Sequence, residues 1–224
     1  FFFKQKTAYE IPKRDWSSDV CSSDLEAVHA AAEADFAGFV FYGRSPRNLT
    51  PDAAATLAAL LPPRVQRVAL LVDPDDAFLK AVLGVFRPQL LQLHGSETAE
   101  RVAAIKVAFG LPAMKAIPIR EAGDIAAADR YDRVADRLLF DAKPPNRPDA
   151  LPGGNAESFD WTLLAGRRFP LPTMLSGGLT AANVAEAARI TGVDAVDVSS
   201  GVEDRPGIKN PQKIKDFIRA ARGL

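Results

Sequence analysis

Short apolar runs alternate with longer amphipathic stretches along most of the chain. The runs are rich in valine, leucine and phenylalanine and have the length of buried strands, whereas the stretches between them repeat apolar residues at helical spacing. We therefore predict strands at 36–41, 66–72, 90–95, 113–119, 137–143, 172–178 and 195–200. Helices are predicted at 26–34, 51–61, 75–86, 97–109, 122–131, 180–191 and 211–224.

The alternation of strand and helix predicts parallel βα repeats rather than a sandwich. Strands recur about every 25–30 residues, a period that fits a (β/α)8 TIM barrel. A doubly wound open sheet is the alternative, but it usually carries a glycine-rich turn after its first strand, and none is visible here. The predicted strands leave the barrel one short at the front. We therefore expect the native first strand to be missing or replaced, and a barrel that lacks it would expose two sheet edges.

Residues 1–25 differ from the rest of the chain. They are rich in serine, aspartate and lysine, follow neither a helical nor a strand period, and contain an apolar run too short for a signal peptide. Their back-translation resembles the adapter that is ligated to DNA fragments for short-read sequencing. We therefore predict a non-native segment at 1–25 and a single barrel domain at 26–224.

Composition narrows the function further. The chain has 28 basic and 28 acidic residues, so there is no basic surplus to favour nucleic acid or anionic lipid. No apolar stretch reaches the roughly 18 residues of a membrane helix. The single cysteine, Cys21, lies in the 1–25 segment, which leaves the remainder without a disulfide or a cysteine-based metal site. These features predict a cytoplasmic protein that binds neither nucleic acid nor membrane and holds no metal.

Two segments near the end of the chain predict a phosphate site. LSGGLTAANV at 175–184 and AVDVSSGVE at 195–203 each begin as a short apolar strand and then break into small residues. Small residues let the backbone approach a ligand, and the amides that open the following helix can point at it. Such loops after the seventh and eighth strands form the phosphate site of many (β/α)8 barrels. The expected partner is a phosphorylated small molecule.

Other candidate groups stand at the carboxyl ends of predicted strands, where the active sites of such barrels lie. These residues are Arg44, Arg47, His94, Asp141, Lys143, Asp197, Ser199 and Ser200. Together they predict an anionic-ligand site with an acid–base group. Asp141 is the leading candidate for that group, because an acid within an apolar run often has a shifted pKa.

Several of these residues also have a purely structural interpretation. Arg47 could be a solvated loop arginine, and His94 could bond the backbone of its own loop. Asp141 could pair with Lys143, and Asp197 could cap the loop that follows it. The residues by themselves leave these alternatives open.

Six segments, in this order, resemble the phosphoribosylanthranilate isomerase family. They are GFVFYGRSPRNLTP (38–51), LLQLHGSET (90–98), LLFDAK (138–143), SFDW (158–161), LSGGLTAANV (175–184) and AVDVSSGVEDRPGIKNPQKI (195–214). Together they cover essentially all of the 26–224 domain. Related sugar-phosphate barrels share the phosphate turn but not the GFVF, SPR, QLHG and FDW segments.

The resemblance implies a cofactor-free isomerase of tryptophan biosynthesis. The family converts N-(5-phosphoribosyl)anthranilate to 1-(2-carboxyphenylamino)-1-deoxyribulose 5-phosphate by an Amadori rearrangement. An aspartate acid opens the furanose ring to a Schiff base, and a cysteine base removes the proton on carbon 2. Because family members occur as monomers, as dimers and as domains of fusions, either a monomer or a homodimer is compatible with the resemblance.

Carried over by motif, the resemblance assigns roles to particular residues. Asp141 would be the general acid, and Arg47 would hold the anthranilate carboxylate, which suits guanidinium geometry. His94 and Asp197 would line the ribose and anthranilate pocket. The phosphate would lie against Gly177, Gly178, Ser199, Ser200 and Gly201.

Two positions depart from the family pattern. The family cysteine lies in a K-I-C-G stretch on the first strand, whereas this chain reads SSDVCSSDL. Cys21 is followed by a serine instead of a glycine, and fewer residues separate it from GFVF than separate the family cysteine from that segment. We therefore interpret Cys21 as a coincidental stand-in for the base and expect impaired turnover. The second departure is Ala156, at a loop position where the family tends to have glycine and where a side chain disfavours positive φ.

Two other functions remain open at this point. One is another sugar-phosphate barrel enzyme, such as the aminoaldose isomerase of histidine biosynthesis or indole-glycerol-phosphate synthase. The first would use two aspartates, and the second would need a lysine and glutamates at strand ends. The other is a non-catalytic binder of a phosphorylated ligand, which would keep Arg47 and the phosphate loops but lack the base.

Overall fold

Eight parallel strands close a barrel in the computed structural model, which describes residues 15–19, 25–146 and 150–223. The strands are β1 (Asp15–Asp19), β2 (Phe36–Phe41), β3 (Gln66–Leu71), β4 (Leu90–Leu93), β5 (Ala113–Ile119), β6 (Arg137–Ala142), β7 (Thr173–Leu175) and β8 (Ala195–Val198). Each strand pairs with the next, and β1 also pairs with β8. The predicted (β/α)8 fold class is confirmed.

Helices follow most of the strands. The α-helices are α1 (Leu25–Ala31), α2 (Pro51–Ala58), α3 (Asp76–Val85), α4 (Ala99–Phe109), α5 (Val184–Thr191) and α6 (Pro211–Arg222). Thr50, Asp75 and Thr98 each cap a helix by accepting a hydrogen bond from the amide three residues on. A hairpin of β9 (Glu203–Arg205) and β10 (Ile208–Lys209) precedes α6. Within the described ranges, no helix is both long and apolar enough to cross a membrane.

The first place in the barrel is filled by Asp15–Asp19, from the segment predicted to be non-native. Ser17 aligns with Phe36 of β2 and with Asp197 of β8, so both neighbouring strands are paired. This agrees with the prediction that the native first strand is missing or replaced, and the two sheet edges that an unfilled gap would expose are paired, because the segment occupies the place of a first strand. Cys21 follows β1 in sequence and lies outside the described residues.

Two predicted helices differ from those in the structure. Residues Ala122–Tyr131 form a 3₁₀ helix, consistent with a glycine and aspartates that are weak α-helix formers. The helix predicted from Thr180 begins only at Val184. The side chain of Asn183 accepts a hydrogen bond from the Thr180 amide and donates one to the Gly178 carbonyl, which holds the intervening residues as a turn. Between β6 and β7 a 3₁₀ helix forms at Trp161–Leu164.

Buried side chains form two hydrophobic clusters. The smaller one fills the barrel near the amino ends of the strands and contains Phe36, Val68, Leu90, Met114, Ala116, Leu139, Met174 and Ala195. The larger cluster lies between the strands and the helices, and in it Phe39 and Phe41 pack against Phe86. Successive side chains of a strand alternate between its two faces. A residue two positions after a member of the smaller cluster therefore also points into the barrel, one layer nearer the carboxyl ends of the strands.

Candidate active site

Four polar side chains lie in the layer of the barrel at the carboxyl ends of the strands. Gln92, Asp141, Ser176 and Asp197 each lie two residues after a member of the smaller apolar cluster, and all four are buried. The Ser176 hydroxyl donates to Oδ2 of Asp197 over 3.0 Å. Burying polar groups is costly unless they are hydrogen-bonded, and this end of a (β/α)8 barrel carries the active site in such enzymes. The layer is therefore the candidate site.

Asp141 and His94 face each other in this layer. Oδ2 of Asp141 lies 3.1 Å from Nε2 of His94, and Nδ1 of His94 lies 3.1 Å from Oε1 of Gln92. An amide oxygen only accepts, so with this placement of the amide Nδ1 donates to Gln92, and the second contact is a hydrogen bond when either Nε2 or Oδ2 carries a hydrogen. The amide of Ala142 donates to Oδ1 of Asp141 over 2.8 Å. This arrangement suits an acid that holds and releases a proton.

The loop after β6 covers this pair. A Cβ on Gly153 would lie 2.7 Å from Oδ2 of Asp141 and 2.9 Å from Nε2 of His94, so a larger residue would not fit there. The carbonyl of the next residue, Gly154, accepts a hydrogen bond of 3.2 Å from Nη2 of Arg47. The loop thus shields the Asp141–His94 pair and reaches across the barrel to the segment after β2.

The residues predicted to bind phosphate line one cavity. They are Gly177, Gly178, Ser199, Ser200 and Gly201. A Cβ on Gly201 would fall 1.8 Å from the carbonyl oxygen of Leu179, so the loops after β7 and β8 are in direct contact. Asp141 and Asp197 line the same cavity. The loop after β8 leads into a three-residue 3₁₀ turn at Ser200–Val202 and then into the hairpin, which corrects the expectation of a helix opening there.

Arg47 is buried at the edge of the site and is held by Glu203. Nε and Nη2 of Arg47 donate to the two carboxylate oxygens of Glu203 over 2.7 and 2.8 Å. Nζ of Lys209 lies 3.2 Å from the same carboxylate and donates to the Ser199 carbonyl over 2.9 Å. Burial alone would raise the pKa of Glu203, but the hydrogen bond from Arg47 and the charges of Lys209 and Arg47 outweigh it and lower that pKa. The interpretation of Arg47 as a solvated loop residue is wrong, since it is 4% exposed.

Two further cavities adjoin the Asp141–His94 pair. One, of approximately 430 Å³, has Pro118, Pro144 and Pro152 in its walls together with Arg44. The other is lined by Arg47, His94, Asp141, Asp197 and Ser199. Asp141 therefore lines all three cavities, and the structure brings the predicted acid, arginine, histidine and phosphate loops together. In the described part of the chain, no group of three or more His, Cys, Asp or Glu could hold a metal ion.

Lys143 does not pair with Asp141. Its Nζ lies 2.9 Å from Oδ1 of Asp124. Burial would raise the pKa of Asp124, but the bonds from Lys143 and from the amides of Arg120 and Glu121 outweigh it and lower that pKa. The alternative that Asp141 is the structural partner of Lys143 is therefore contradicted.

Comparison with known proteins decides the family. The family model of N-(5'-phosphoribosyl)anthranilate isomerase matches residues 19–220. The chain belongs to this family. A relative named N-(5'-phosphoribosyl)anthranilate isomerase, from Paramagnetospirillum magneticum, is 59% identical over 203 residues, which cover 90% of this chain and 94% of the relative.

Solved structures of phosphoribosylanthranilate isomerases share the fold. Monomers generated from the dimeric enzyme of Thermotoga maritima match with a TM-score of 0.79 and 32% identity, over 94% of this chain and 100% of theirs. A phosphoribosylanthranilate isomerase in complex with reduced 1-(o-carboxyphenylamino)-1-deoxyribulose 5-phosphate gives the same TM-score of 0.79, identity of 32% and coverage of 94% and 100%. Membership of the phosphoribosylanthranilate isomerase family confirms the predicted activity, an aldose–ketose isomerase of tryptophan biosynthesis.

Four other buried polar residues contact the candidate site of this phosphoribosylanthranilate isomerase family member, and sequence patterns do not predict them. They are Gln92, Ser176, Glu203 and Lys209. Gln92 has a usable signal, because it is the only polar residue within the apolar strand LLQL. Glu203 and Lys209 belong to a segment that resembles the family, but nothing in their spacing predicts a contact with Arg47, which lies 156 positions before Glu203.

Proposed function

We propose that the three cavities around Asp141 together bind N-(5-phosphoribosyl)anthranilate and that Asp141 acts as the general acid in its rearrangement. The observation that carries this assignment is the central position of Asp141, which lines the phosphate-loop cavity, the Arg47 cavity and the larger cavity. A substrate that spans these cavities brings its ribose beside Oδ2. The complex of a structural relative with a reduced carboxyphenylamino sugar phosphate supports a ligand of this class.

The proposed reaction moves protons and needs no oxidant. Transfer of a proton from Oδ2 of Asp141 to the furanose ring oxygen breaks the bond between that oxygen and carbon 1, and the nitrogen lone pair forms the C=N bond of the Schiff base. Removal of the proton on carbon 2 gives an enolamine. The enolamine gains a proton on carbon 1 and loses its hydroxyl proton, which leaves the ketone. His94 faces Oδ2 and can share the proton of the acid before and after transfer.

The two ends of the substrate are held on different sides of Asp141 in this proposal. The phosphate lies in the cavity of Gly177, Gly178, Ser199, Ser200 and Gly201. The anthranilate carboxylate meets Arg47, whose planar guanidinium matches a carboxylate, while His94 and Asp197 line the space between. Fixing both ends holds carbons 1 and 2 against the acid, which lowers the entropic part of the barrier.

The mechanism also needs a general base that removes the proton on carbon 2. The family resemblance implies a cysteine, and Cys21 is the only one in the chain. We infer that residues 1–25 are translated adapter and that Cys21 is a coincidental stand-in. Because general-base catalysis typically contributes about 10²–10⁴-fold, the chain as it stands is expected to turn over poorly.

Consumption of phosphoribosylanthranilate, followed through its fluorescence, tests the proposal with three proteins. They are the unmodified chain, a repaired chain whose residues 1–25 are replaced by a family-like opening with K-I-C-G-L, and the repaired chain carrying Asp141→Asn. We expect turnover by the repaired chain and little by the unmodified one. Asp141→Asn is expected to lower kcat by about 10²–10⁴-fold, because an amide cannot donate the proton as a carboxylic acid does.

Three other results of this assay would contradict parts of the proposal. Full activity of the unmodified chain would contradict the interpretation of Cys21, and Cys21→Ala would then show whether this thiol is the base. A folded repaired chain without turnover would overturn the isomerase proposal and favour a non-catalytic binder of a phosphorylated ligand. Unchanged kcat in Asp141→Asn would remove Asp141 from the acid role.

The oligomeric state and the location of the protein stay predictions. The Thermotoga maritima relative is described both as a dimer and as monomers generated from it. We infer that this chain forms a monomer or a homodimer, which sedimentation equilibrium distinguishes by mass. Its cytoplasmic location is to be tested by cell fractionation.

A further inference from the structure

Glu203 connects two ends of the site from a buried position. It is the first residue of β9, and its side chain is 4% exposed. Both carboxylate oxygens accept from Arg47, and Oε1 also lies 3.2 Å from Nζ of Lys209. Lys209 in turn donates to the carbonyl of Ser199 over 2.9 Å. One carboxylate thus links the arginine after β2 to the small-residue loop after β8.

The charges of this cluster partly compensate one another. Arg47 and Lys209 carry two positive charges and Glu203 one negative charge, so the three groups together carry one net positive charge. Their side chains are buried, with exposures of 4%, 0% and 4%. Because a buried charge is stable only when it is compensated, the Glu203 carboxylate stabilises Arg47 and Lys209 in their buried positions.

The geometry of the pair also prepares Arg47 for binding. An arginine side chain has many rotamers, and fixing them when a ligand arrives costs binding free energy. The two parallel hydrogen bonds to Glu203 already fix the plane of the guanidinium, and the carbonyl of Gly154 accepts a further bond from Nη2. Arg47 is therefore oriented before any ligand binds.

We propose that Glu203 is a positioning residue that gives the site its selectivity for a substrate with an aromatic carboxylate. It does so by orienting the Arg47 guanidinium, while Lys209 balances its charge and anchors the loop of Ser199. The inference rests on the proposed function, in which Arg47 meets the anthranilate carboxylate. A purely structural role for Glu203 would affect all ligands of the site alike.

Binding of two ligands, measured by calorimetry, separates these roles without requiring turnover. The first ligand is reduced 1-(o-carboxyphenylamino)-1-deoxyribulose 5-phosphate, and the second is the same compound without its carboxyl group. We expect the unmodified chain to prefer the first. Glu203→Gln keeps the size of the side chain but loses the charge, and it is expected to reduce that preference by about tenfold while affinity for the second ligand changes by less than about twofold.

The matched control is Asp204→Asn, the neighbouring acid. Asp204 is exposed and bonds to Lys213 and Asn210 instead of Arg47, so its removal is expected to leave both affinities unchanged. In an Arg47→Ala background, adding Glu203→Gln is expected to cause no further loss of preference, because Glu203 acts through Arg47. If Glu203→Gln does not fold, the double variant Glu203→Gln/Lys209→Met replaces it, since it removes one charge of each sign.

Three outcomes would overturn the inference. Equal losses of affinity for both ligands would reduce Glu203 to a structural role. An unchanged preference, in either Glu203 variant, would show that Arg47 needs no such support. Failure of the unmodified chain to bind either ligand would overturn the proposed function itself, and with it this inference, whereas the first two outcomes leave the proposed function standing.

Discussion

Ala156 has a backbone conformation that side chains disfavour. Its φ is 59°, in the left-handed region, and it lies in the loop that covers the Asp141–His94 pair. An L-residue in this region is strained because its Cβ crowds the backbone, whereas glycine is not. The sequence predicts this conflict, since the resembling family tends to have glycine here. The structure shows that the loop keeps the positive φ despite the alanine.

Ala156→Gly is expected to raise the free energy of unfolding by about 0.5–1 kcal/mol, because the relieved strain exceeds the extra entropy of the unfolded glycine. The matched control is Ala59→Gly at the end of α2, where φ is −65°. At that position the same change relieves no strain and is expected to lower the free energy of unfolding by about 0.5–1 kcal/mol. Urea denaturation measures both, and equal destabilisation by the two changes would contradict the prediction.

The elements β3, β4 and β5 are tied together at the carboxyl end of the barrel by a buried ion pair. Nζ of Lys115 donates to the carbonyls of Leu93 and Gly95 and to Oε2 of Glu97, over 3.1, 2.7 and 2.8 Å. Glu97 also accepts from the amides of Gly95 and Asp73. The turn that follows His94 is therefore shaped by charged side chains that no local pattern identifies.

Lys115→Met is expected to lower the free energy of unfolding by about 3 kcal/mol, because it leaves the Glu97 carboxylate buried without its cation. The double variant Lys115→Met/Glu97→Gln removes both charges and is expected to recover part of that loss. Denaturant unfolding followed by circular dichroism provides the comparison. If Lys115→Met is as stable as the unmodified chain, the Lys115–Glu97 ion pair does not contribute to stability.

At the scale of the whole molecule, closure of the barrel joins distant parts of the chain. Asp15–Asp19 pairs with β8 as well as β2, and Arg47 meets Glu203 across 156 positions. Such contacts form only when the barrel closes, so they contribute to the free energy of unfolding of the whole barrel. The Glu203 carboxylate makes this part of stability depend on pH.

Stability is expected to fall in acid partly through Glu203. Its pKa in the folded protein lies below the ordinary value of 4.5, so its contribution is complete above that value and is lost as the pH falls through the folded pKa. Glu203→Gln, or its double variant with Lys209→Met, is expected to show a shallower decline of the urea midpoint between about pH 5 and pH 3. Asp124 and Asp204, whose pKa values are also lowered, remain in all the proteins compared. If the urea midpoints of the unmodified chain and the Glu203 variants fall in parallel with pH, this role of Glu203 is contradicted.

Local patterns determine much of this protein. Apolar periodicity predicts β2 and β5 at their observed bounds, and the position of Asp141 at a strand end predicts its place in the site. The small residues of 175–184 and 195–203 predict loops that line a cavity. These features are predictable because alternation along a strand and the direction of parallel strands fix where each residue lies.

Tertiary structure alone decides the partners of these residues. The closing strand at Asp15–Asp19, the bond between His94 and Asp141, and the Arg47–Glu203–Lys209 cluster join residues far apart in the chain. Sequence spacing carries no information on such distances, because side chains meet only after the strands have taken their register and the barrel has closed. The sequence therefore determines which groups reach the site, and the closed barrel decides which of them touch.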